Sequence, residues 1–319
     1  MPITVAVVQA FVPHRLAAGL ATAAERTALA AEQGATLVIF PETWLPGYPI
    51  WLDVCRDVAL WDHAPVKAVY RQLAEESVAV PSDAMRALAD IARANRVALV
   101  IGVSERVDQG AGRGTLYNSI LTFGPDGSLL NHHRKLMPTY TERMVWGAGD
   151  ADGIRPVSVG DAHVGSLVCW EHWMPLARQA LHDAGEDVHA ALWPTVHEMH
   201  QVASRHYAFE GRCFVVAAGS LMRASDLPAD LETHASKVQA GDQFVMRGGS
   251  AIIGPDGAYV IEPLYDKEAV LVATLDLARV REESMTLDVT GHYSRPELLA
   301  LSVTRGGRPV TAAPSQVVQ

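Results

Sequence analysis

The stretch 164–178, VGSLVCWEHWMPLAR, changes character half-way along its length. Residues 164–168 are mostly apolar with a β-branched residue at each end, which predicts a short buried strand. From Met174 onward the apolar spacing predicts a helix, and Pro175 suits its first turn. Cys169 therefore lies at a strand-to-helix junction, where a side chain is presented to a pocket beside free backbone N–H groups that can stabilise negative charge. The alternative is a buried structural thiol, the commoner fate of a free cysteine.

Composition indicates one large globular domain. The chain has 319 residues, of which 49% are hydrophobic and 19% charged, and this is enough for a sizeable core. No Pro/Gly/Ser-rich linker interrupts the interior of the chain. We expect a single domain over residues 1–285. Residues 286–319 are expected to form a C-terminal arm that packs at a subunit interface and is disordered at its end.

Charge and cysteine content exclude several classes of protein. With 26 basic and 36 acidic residues the net charge is -10, which argues against a nucleic-acid partner. The cysteines Cys55, Cys169 and Cys213 are too few for a disulfide framework and favour a reducing, intracellular setting. The sequence shows neither a signal peptide nor an apolar run long enough to span a membrane. We therefore expect a cytoplasmic protein.

Strand and helix patterns alternate from the N-terminus onward. Residues 3–10 and 36–40 predict two buried strands, with a helix over residues 14–33 between them. The inner face of that helix is predicted from Leu16, Leu20, Ala24 and Ala28. Ser82 is the predicted N-cap of a helix that runs to Asn95. Continuous apolar strands that alternate with helices indicate an α/β layered fold.

Turn signals complete the framework. The sequence GPDG occurs at residues 124–127 and again at 254–257, and each copy predicts a β-hairpin. The two hairpins suggest that two halves of the sheet framework are built alike. Residues 44–61 are interrupted by prolines and glycine and predict a loop that carries several aromatic residues.

Charged residues follow two other predicted strands. Glu42 comes directly after the second strand, where a carboxylate is costly unless it is paired or used; a solvated loop glutamate is the alternative. Lys135 lies where a later strand ends, and Glu142 follows seven residues on. A solvated charge run is the alternative there, although Pro138 argues against a plain surface helix.

The contexts of these residues resemble the nitrilase superfamily. They are FPETWLPGYP around Glu42, HRKLMPTYTER around Lys135, and CWEHWMPLAR from Cys169 onward. Glu142 matches the second glutamate that the family places beside its lysine. The resemblance extends over residues 3–297, and the CWEH sequence together with GHYSRP at 291–296 resembles the nitrilase branch. The chain ends sooner after GHYSRP than many relatives do.

The resemblance implies a fold and an assembly. It implies a four-layer αββα sandwich with the site between the two sheets. It also implies a homodimer, and in some relatives a larger spiral homo-oligomer. No metal or organic cofactor is expected.

It further implies a mechanism for nitrile hydrolysis. Cys169 would be the nucleophile and Glu42 the general base and acid, since a free thiol is mostly protonated at neutral pH. Attack on the nitrile would form a covalent thioimidate. Loss of ammonia would then leave an acyl-thioester for a second hydrolysis. Lys135 and the backbone N–H of Trp170 would stabilise the intermediates, and Glu142 would keep Lys135 charged and oriented.

An aromatic-rich set near the motifs favours an apolar organic nitrile as substrate. The candidate substrate-binding residues are Tyr48, Trp51, Trp170, His172, Trp193 and Thr195. Further aromatic residues in the set are Trp61, Tyr140 and Trp173. Cyanide itself would need a much smaller pocket.

Two other functions remain open at this stage. An amidase or carbamoylase of the same superfamily would use the same four residues on an amide. A more distant alternative is a metal-binding protein, because His197, Glu198 and His200 lie close together in sequence. Their spacing is not the His-Glu-x-x-His pattern that places two imidazoles on one helical face. Insensitivity of the activity to a chelator would separate this alternative from the hydrolases.

Overall fold

The computed structural model describes residues 2–238 and 243–306. Within these residues the strands are β1 (Pro2–Gln9), β2 (Leu37–Ile39), β3 (Val78–Ala79), β4 (Ala98–Arg106), β5 (Leu116–Phe123), β6 (Leu129–Arg134), β7 (Val157–Val159), β8 (Ala162–Val168), β9 (Val188–Leu192), β10 (Phe214–Ala218), β11 (Leu221–Arg223), β12 (Phe244–Ile253), β13 (Tyr259–Tyr265) and β14 (Ala269–Asp276). The helices are α1 (Leu16–Glu32), α2 (Trp51–Val54), α3 (Ala64–Glu76), α4 (Asp83–Asn95), α5 (Pro175–Asp183), α6 (Glu198–Gly211) and α7 (Ala278–Ser284).

The strands described form two seven-stranded mixed sheets. In the first the order is β14-β1-β2-β4-β5-β6, with β3 beside β4. In the second it is β11-β12-β10-β9-β8-β7, with β13 beside β12. The neighbours β8, β9 and β10 run parallel, so their carboxyl ends lie at one edge of the second sheet.

Alternation along β1 shows how the layers stack. Val5 and Val7 belong to the apolar cluster that joins the two sheets, whereas Ala6 and Val8 pack with α1 and α4. Residues of α5 and α6 pack against the second sheet. The layers are therefore helix, sheet, sheet, helix, and the expected αββα architecture is confirmed.

Most of the predicted elements are present. The helix after Ser82 is α4, and the Ser82 hydroxyl accepts from the Met85 N–H at 3.2 Å as a cap. Both GPDG turns close antiparallel hairpins, β5–β6 in the first sheet and β12–β13 in the second. The two sheets thus each contain one such hairpin, as the repeated turn suggested.

The buried face of α1 differs from the prediction. Leu16, Leu20, Ala24 and Ala28 are only partly buried. The fully buried residues are Gly19, Ala23, Thr27 and Ala30. Gly19 explains the rotation, because a Cβ there would overlap the side chains of Leu45 and Pro13. The helix turns its smallest residues toward the core so that it can approach closely.

The segment predicted as a loop over residues 44–61 is partly helical. It contains α2, and the longer α3 follows it. Leu73 is the single buried residue of α3. Val66, Val69, Tyr70 and Ala74 pack beside it, partly buried, at helical spacing, so the signal for this helix was present in the sequence. Trp61, in contrast, is 99% exposed.

The described part of the C-terminal arm packs on its own chain. Leu301 and Val303 lie against the core that joins the two sheets. The Arg305 guanidinium donates to the Ile154 carbonyl at 2.7 Å. The role of the arm at a subunit interface stays a prediction. Its end, predicted to be disordered from about Gly306, lies outside the described residues beyond that glycine. None of the helices described is both long and apolar enough to cross a membrane.

Candidate active site

Three strand ends meet between the two sheets. Lys135 directly follows β6, Cys169 directly follows β8, and Glu42 lies three residues beyond β2. With Glu142 they form a buried cluster in which no residue is more than 4% exposed. The structure therefore brings together the four residues that the sequence singled out.

Lys135 is the centre of this cluster. Its Nζ donates to Glu42 Oε1 at 3.1 Å and to the two oxygens of Glu142 at 3.0 and 2.7 Å. Burial alone would lower the pKa of Lys135, but electrostatic interaction with Cys169, Glu42 and Glu142 outweighs burial and raises the pKa above its ordinary value. The ammonium stays charged, as a buried cation with two carboxylate partners should.

Glu42 is poised to accept a proton. Its Oε1 accepts from Asn118 Nδ2 at 2.6 Å as well as from Lys135. Its Oε2 is buried and has no hydrogen-bond partner within the part of the chain that the structure describes. Burial, assisted by the charge of Glu142, raises its pKa to about 7 against the lowering effect of Lys135 and Asn118. A carboxylate with this pKa can exchange a proton at neutral pH.

Glu142 is held by fixed donors. It lies in the short 3₁₀ turn Tyr140–Met144. The Thr139 N–H donates to its Oε2 at 2.8 Å, and the Tyr48 hydroxyl donates to its Oε1 at 2.9 Å. The carboxylate therefore presents both oxygens to Lys135 in one orientation.

Cys169 adopts a left-handed backbone conformation with φ 50°. For a residue with a Cβ this costs about 1–2 kcal/mol, so the surroundings must hold it. Its carbonyl accepts from His172 Nδ1 at 2.6 Å. Its sulfur and one carboxylate oxygen each from Glu42 and Glu142 lie within 4.8 Å of one another. Burial and the charge of Glu42 raise the pKa of the thiol well above its ordinary value, so the resting thiol is neutral and needs a base.

Glu171 ties two of the strand ends together. It accepts from the Val168 N–H and from the Leu136 N–H, both at 2.7 Å. These residues immediately precede Cys169 and follow Lys135. The His133 imidazole, with its Nε2 at 2.9 Å from Oε2, completes its partners. In the sequence Glu171 stands out only as part of the CWEH motif, although a glutamate two residues after the candidate nucleophile is itself a signal of a supporting role.

We expect Glu171→Gln to lower the free energy of unfolding by about 1–3 kcal/mol, the usual cost of leaving a buried hydrogen-bonding group without its partner. Burial opposes the shift, but His133 and the two N–H donors together lower the pKa of Glu171. Its stabilising effect is therefore present at neutral pH and is lost as the pH falls through that lowered pKa. Denaturant unfolding at several pH values measures this, with the exposed Glu282→Gln on α7 as control. A difference that did not shrink in acid would contradict the assignment.

The candidate substrate-binding residues occupy different surroundings. Tyr48 and Trp51 line a common cavity. Trp193 is fully buried and stacked between His172 and His200, with ring centroids 4.7 and 4.2 Å away. Thr195 is also buried, and its hydroxyl accepts from the Arg247 N–H at 3.0 Å. Of the two remaining candidates, His172 is buried against the Cys169 carbonyl and Trp170 is 54% exposed.

One group of side chains in the described residues is compact enough to hold a metal ion, and it is the cluster of Glu42, Glu142 and Cys169. The Lys135 ammonium already contacts both carboxylates of that group. The histidines that suggested a metal site have other partners. His200 Nδ1 donates to the Thr195 carbonyl at 2.9 Å, and burial lowers its pKa to about 4.

Comparison with known proteins assigns the family. The model of the carbon-nitrogen hydrolase family matches residues 4–283. The chain belongs to this family. It is 38% identical to a nitrilase of Paraburkholderia phymatum over 88% of this chain and 80% of that protein. It is 37% identical to a bifunctional nitrilase/nitrile hydratase of Lupinus angustifolius, over 86% and 78% of the two chains. These relatives put this carbon-nitrogen hydrolase in the nitrilase branch, which confirms the resemblance noted in the sequence.

Solved structures support the fold. A carbon-nitrogen hydrolase from Helicobacter pylori G27 matches with a TM-score of 0.70 and 20% identity, over 90% of this chain and 94% of that one. A mutant of the amidase from Nesterenkonia sp. AN1, with acrylamide added at its active-site cysteine, matches with a TM-score of 0.64 and 20% identity, over 89% and 98%. At such identities the likeness establishes the shared architecture of the carbon-nitrogen hydrolases.

Proposed function

We propose that this carbon-nitrogen hydrolase is a nitrilase that converts an organic nitrile and two waters into a carboxylic acid and ammonia. The observation that carries the proposal is the unpartnered Oε2 of Glu42 beside the buried Cys169 thiol. A neutral thiol next to a carboxylate whose pKa is about 7 is a nucleophile with its base already in place.

In the first half of the reaction the Cys169 sulfur attacks the nitrile carbon. Glu42 takes the thiol proton as the carbon–sulfur bond forms, and then donates that proton to the nitrile nitrogen. The product is a covalent thioimidate, and Glu42 is again ionised. General catalysis of this kind typically contributes about 10²–10⁴-fold.

In the second half two waters enter in turn. Glu42 accepts a proton from the first water as its oxygen adds to the thioimidate carbon. That proton passes to nitrogen and gives a tetrahedral intermediate with one hydroxyl and one amino group. Glu42 then takes the hydroxyl proton and passes it to the nitrogen as the carbon–nitrogen bond breaks, so that ammonia leaves an acyl-thioester. The second water cleaves the carbon–sulfur bond by the same route, which releases the acid and returns the thiol.

Lys135 and the Trp170 backbone N–H would stabilise the negative charge that develops in each tetrahedral intermediate. The Trp170 N–H interacts with the Cys169 sulfur and lowers the pKa of the thiol, against burial and Glu42. The charge of Lys135 is maintained by Glu142, which Tyr48 and Thr139 hold in position. Tyr48 thus acts through Glu142 even if a substrate also contacts its ring.

The measurement that tests the function is ammonia release from a matched nitrile and amide, such as phenylacetonitrile and phenylacetamide. We expect rapid turnover of the nitrile with the acid as main product. The Cys169→Ala variant serves as control. Faster turnover of the amide would instead make the protein an amidase, which would use the same four residues.

We also propose that the protein pairs with a second copy through the outer faces of α5 and α6. Large apolar side chains there are exposed: Leu176 by 68%, Met199 by 58%, Val202 by 47% and Phe209 by 47%. Exposed apolar groups clustered on neighbouring helices are typical of an interface. Dimers could associate further into a spiral homo-oligomer. Analytical ultracentrifugation that found only monomers at micromolar concentration would exclude the pairing.

We further propose that the protein is located in the cytoplasm. Cys55, Cys169 and Cys213 are all buried free thiols, and unpaired cysteines are favoured in a reducing compartment. Fractionation of the native host cells would test the location.

A further inference from the structure

A row of hydrogen-bonded, buried ionisable groups leads from the loop before β9 to the backbone of Cys169. The proposed reaction does not use these groups. The row consists of Glu186, in the loop before β9, His189 on β9 and His172 beside Cys169. Glu186 Oε2 lies 2.8 Å from His189 Nδ1, and His189 Nε2 lies 3.0 Å from His172 Nε2. His172 Nδ1 in turn donates to the Cys169 carbonyl at 2.6 Å. None of the three residues is more than 5% exposed.

The surrounding residues pack closely against these three side chains. Gly165 on β8 is paired with His189, and a Cβ on Gly165 would overlap the Glu186 carboxylate. The Tyr207 hydroxyl donates to Glu186 Oε1, and the Tyr207 ring stacks on His189 with centroids 3.8 Å apart. The carboxylate is therefore held on both oxygens, and the strand that leads to Cys169 leaves room for it.

The hydrogen bonds fix how many protons the two imidazoles carry. Together the rings hold one proton more than two neutral imidazoles would. A carbonyl can only accept, so His172 Nδ1 carries a hydrogen. The short contact between the two Nε2 atoms needs one hydrogen between them. An ionised Glu186 also requires a hydrogen on His189 Nδ1. The two rings together then carry three hydrogens on four nitrogens, which is one positive charge opposite one carboxylate.

We propose that Glu186, His189 and His172 form a proton-holding relay that polarises the Cys169–Trp170 peptide group. The peptide joins the Cys169 carbonyl to the Trp170 N–H. A strong donor on the carbonyl oxygen makes the N–H at the other end of the same amide a stronger donor, as in hydrogen-bonded chains. The inference rests on the proposed function, in which this N–H stabilises the intermediate. The three residues are positioning residues, since none of them touches the reacting atoms.

The other charges near the relay are compatible with this. On α5, His182 lies 3.3 Å from Glu186 Oε1, and despite its burial Glu186 and Glu210 raise its pKa to about 9. Burial opposes it, but His189 and His182 hold the pKa of Glu186 down at about 2. Burial, His189 and the more distant His200 lower the pKa of His172 well below its ordinary value. These shifts keep His172 neutral and Glu186 ionised at neutral pH.

The test is Glu186→Gln, which keeps the shape of the side chain and removes the charge that retains the extra proton. We expect kcat to fall about 10-fold and KM to stay nearly unchanged. Loss of an oxyanion-hole donor itself typically lowers kcat by about 10²–10³-fold, and here the donor is only weakened. In the wild type kcat should also decline at alkaline pH as the relay loses its third hydrogen. In the variant this decline should occur at lower pH.

Tyr207→Phe is the matched control. It removes the other hydrogen bond to the same carboxylate but leaves its charge, so kcat should stay within about threefold and the alkaline decline should not move to lower pH. A Glu186→Gln variant with wild-type kcat and an unshifted pH profile would overturn the proposal.

A second readout does not depend on turnover. Labelling the cysteines with ¹³C at the carbonyl gives three signals, of which the one lost in Cys169→Ala belongs to Cys169. In the wild type this signal should shift between about pH 6 and 10 as the relay titrates, while the signal of Cys55 stays constant. In Glu186→Gln the shift should occur at lower pH. A Cys169 signal that stays constant in the wild type would overturn the relay even if the variant did not fold, whereas a protein that prefers amides would still show the titration.

Discussion

Replacing Cys169 with alanine is expected to reduce nitrile turnover by about 10⁶-fold, the usual decrease in kcat when a catalytic nucleophile is removed. The residual rate would come from water attacking a bound nitrile directly. The fold should persist, because the change removes one sulfur from a site held by backbone contacts and by Glu171. Ammonia release under saturating nitrile measures the effect, and mass spectrometry should no longer detect a covalent adduct.

Cys213→Ala is the control for this variant. Cys213 is also a buried free thiol, and its pKa is also raised well above the ordinary value by burial. It lies just before β10, away from the carboxylates of the site. Its replacement should lower stability slightly and leave turnover unchanged. A folded Cys169→Ala variant that released ammonia at the wild-type rate would refute the mechanism.

Replacing Glu42 with glutamine is expected to lower kcat by about 10²–10⁴-fold, the range for a lost general base. The glutamine carbonyl can still accept from Lys135 and Asn118, as Glu42 Oε1 does. Its amide nitrogen cannot take the thiol proton. Steady-state kinetics on the same nitrile would show the loss in kcat, and thermal unfolding would show that the fold is retained.

The pH profile distinguishes loss of the base from general damage. Only ionised Glu42 can accept the proton, and the pKa of Glu42 is raised to about 7, chiefly by burial. In the wild type kcat/KM should therefore rise with pH and level off above about 7. The Glu42→Gln variant should lack this rise, whereas Glu25→Gln on the exposed side of α1 should retain it. A variant that kept the rise would assign the ionisation to another group.

The candidate site was predictable because its chemistry is local in the sequence. Glu42, Lys135 and Cys169 each follow a recognisable apolar strand, and each is embedded in a distinctive motif. The carboxyl ends of strands are where α/β sheets place their chemistry, which favoured each residue as functional. Glu42 and Lys135 follow strands of the first sheet and Cys169 follows a strand of the second, so their meeting was implied by the family resemblance and not by strand direction. Glu171 and the relay through His189 could not be found in this way. Their partners lie 38 or fewer residues away in the sequence, but they are brought together by side-chain direction and packing that spacing does not encode.

The sequence by itself determined the α/β class, the order of the main strands and helices, the two GPDG hairpins and the identity of the four clustered residues. These follow from apolar periodicity, turn chemistry and motifs, all of which act over short stretches of chain. The tertiary structure alone decided the buried face of α1 and the network that holds Cys169 at φ 50°. It also set the pKa of Glu42. The physical reason is that burial and close packing depend on the atoms supplied by the opposite layer, and those atoms come from distant parts of the chain.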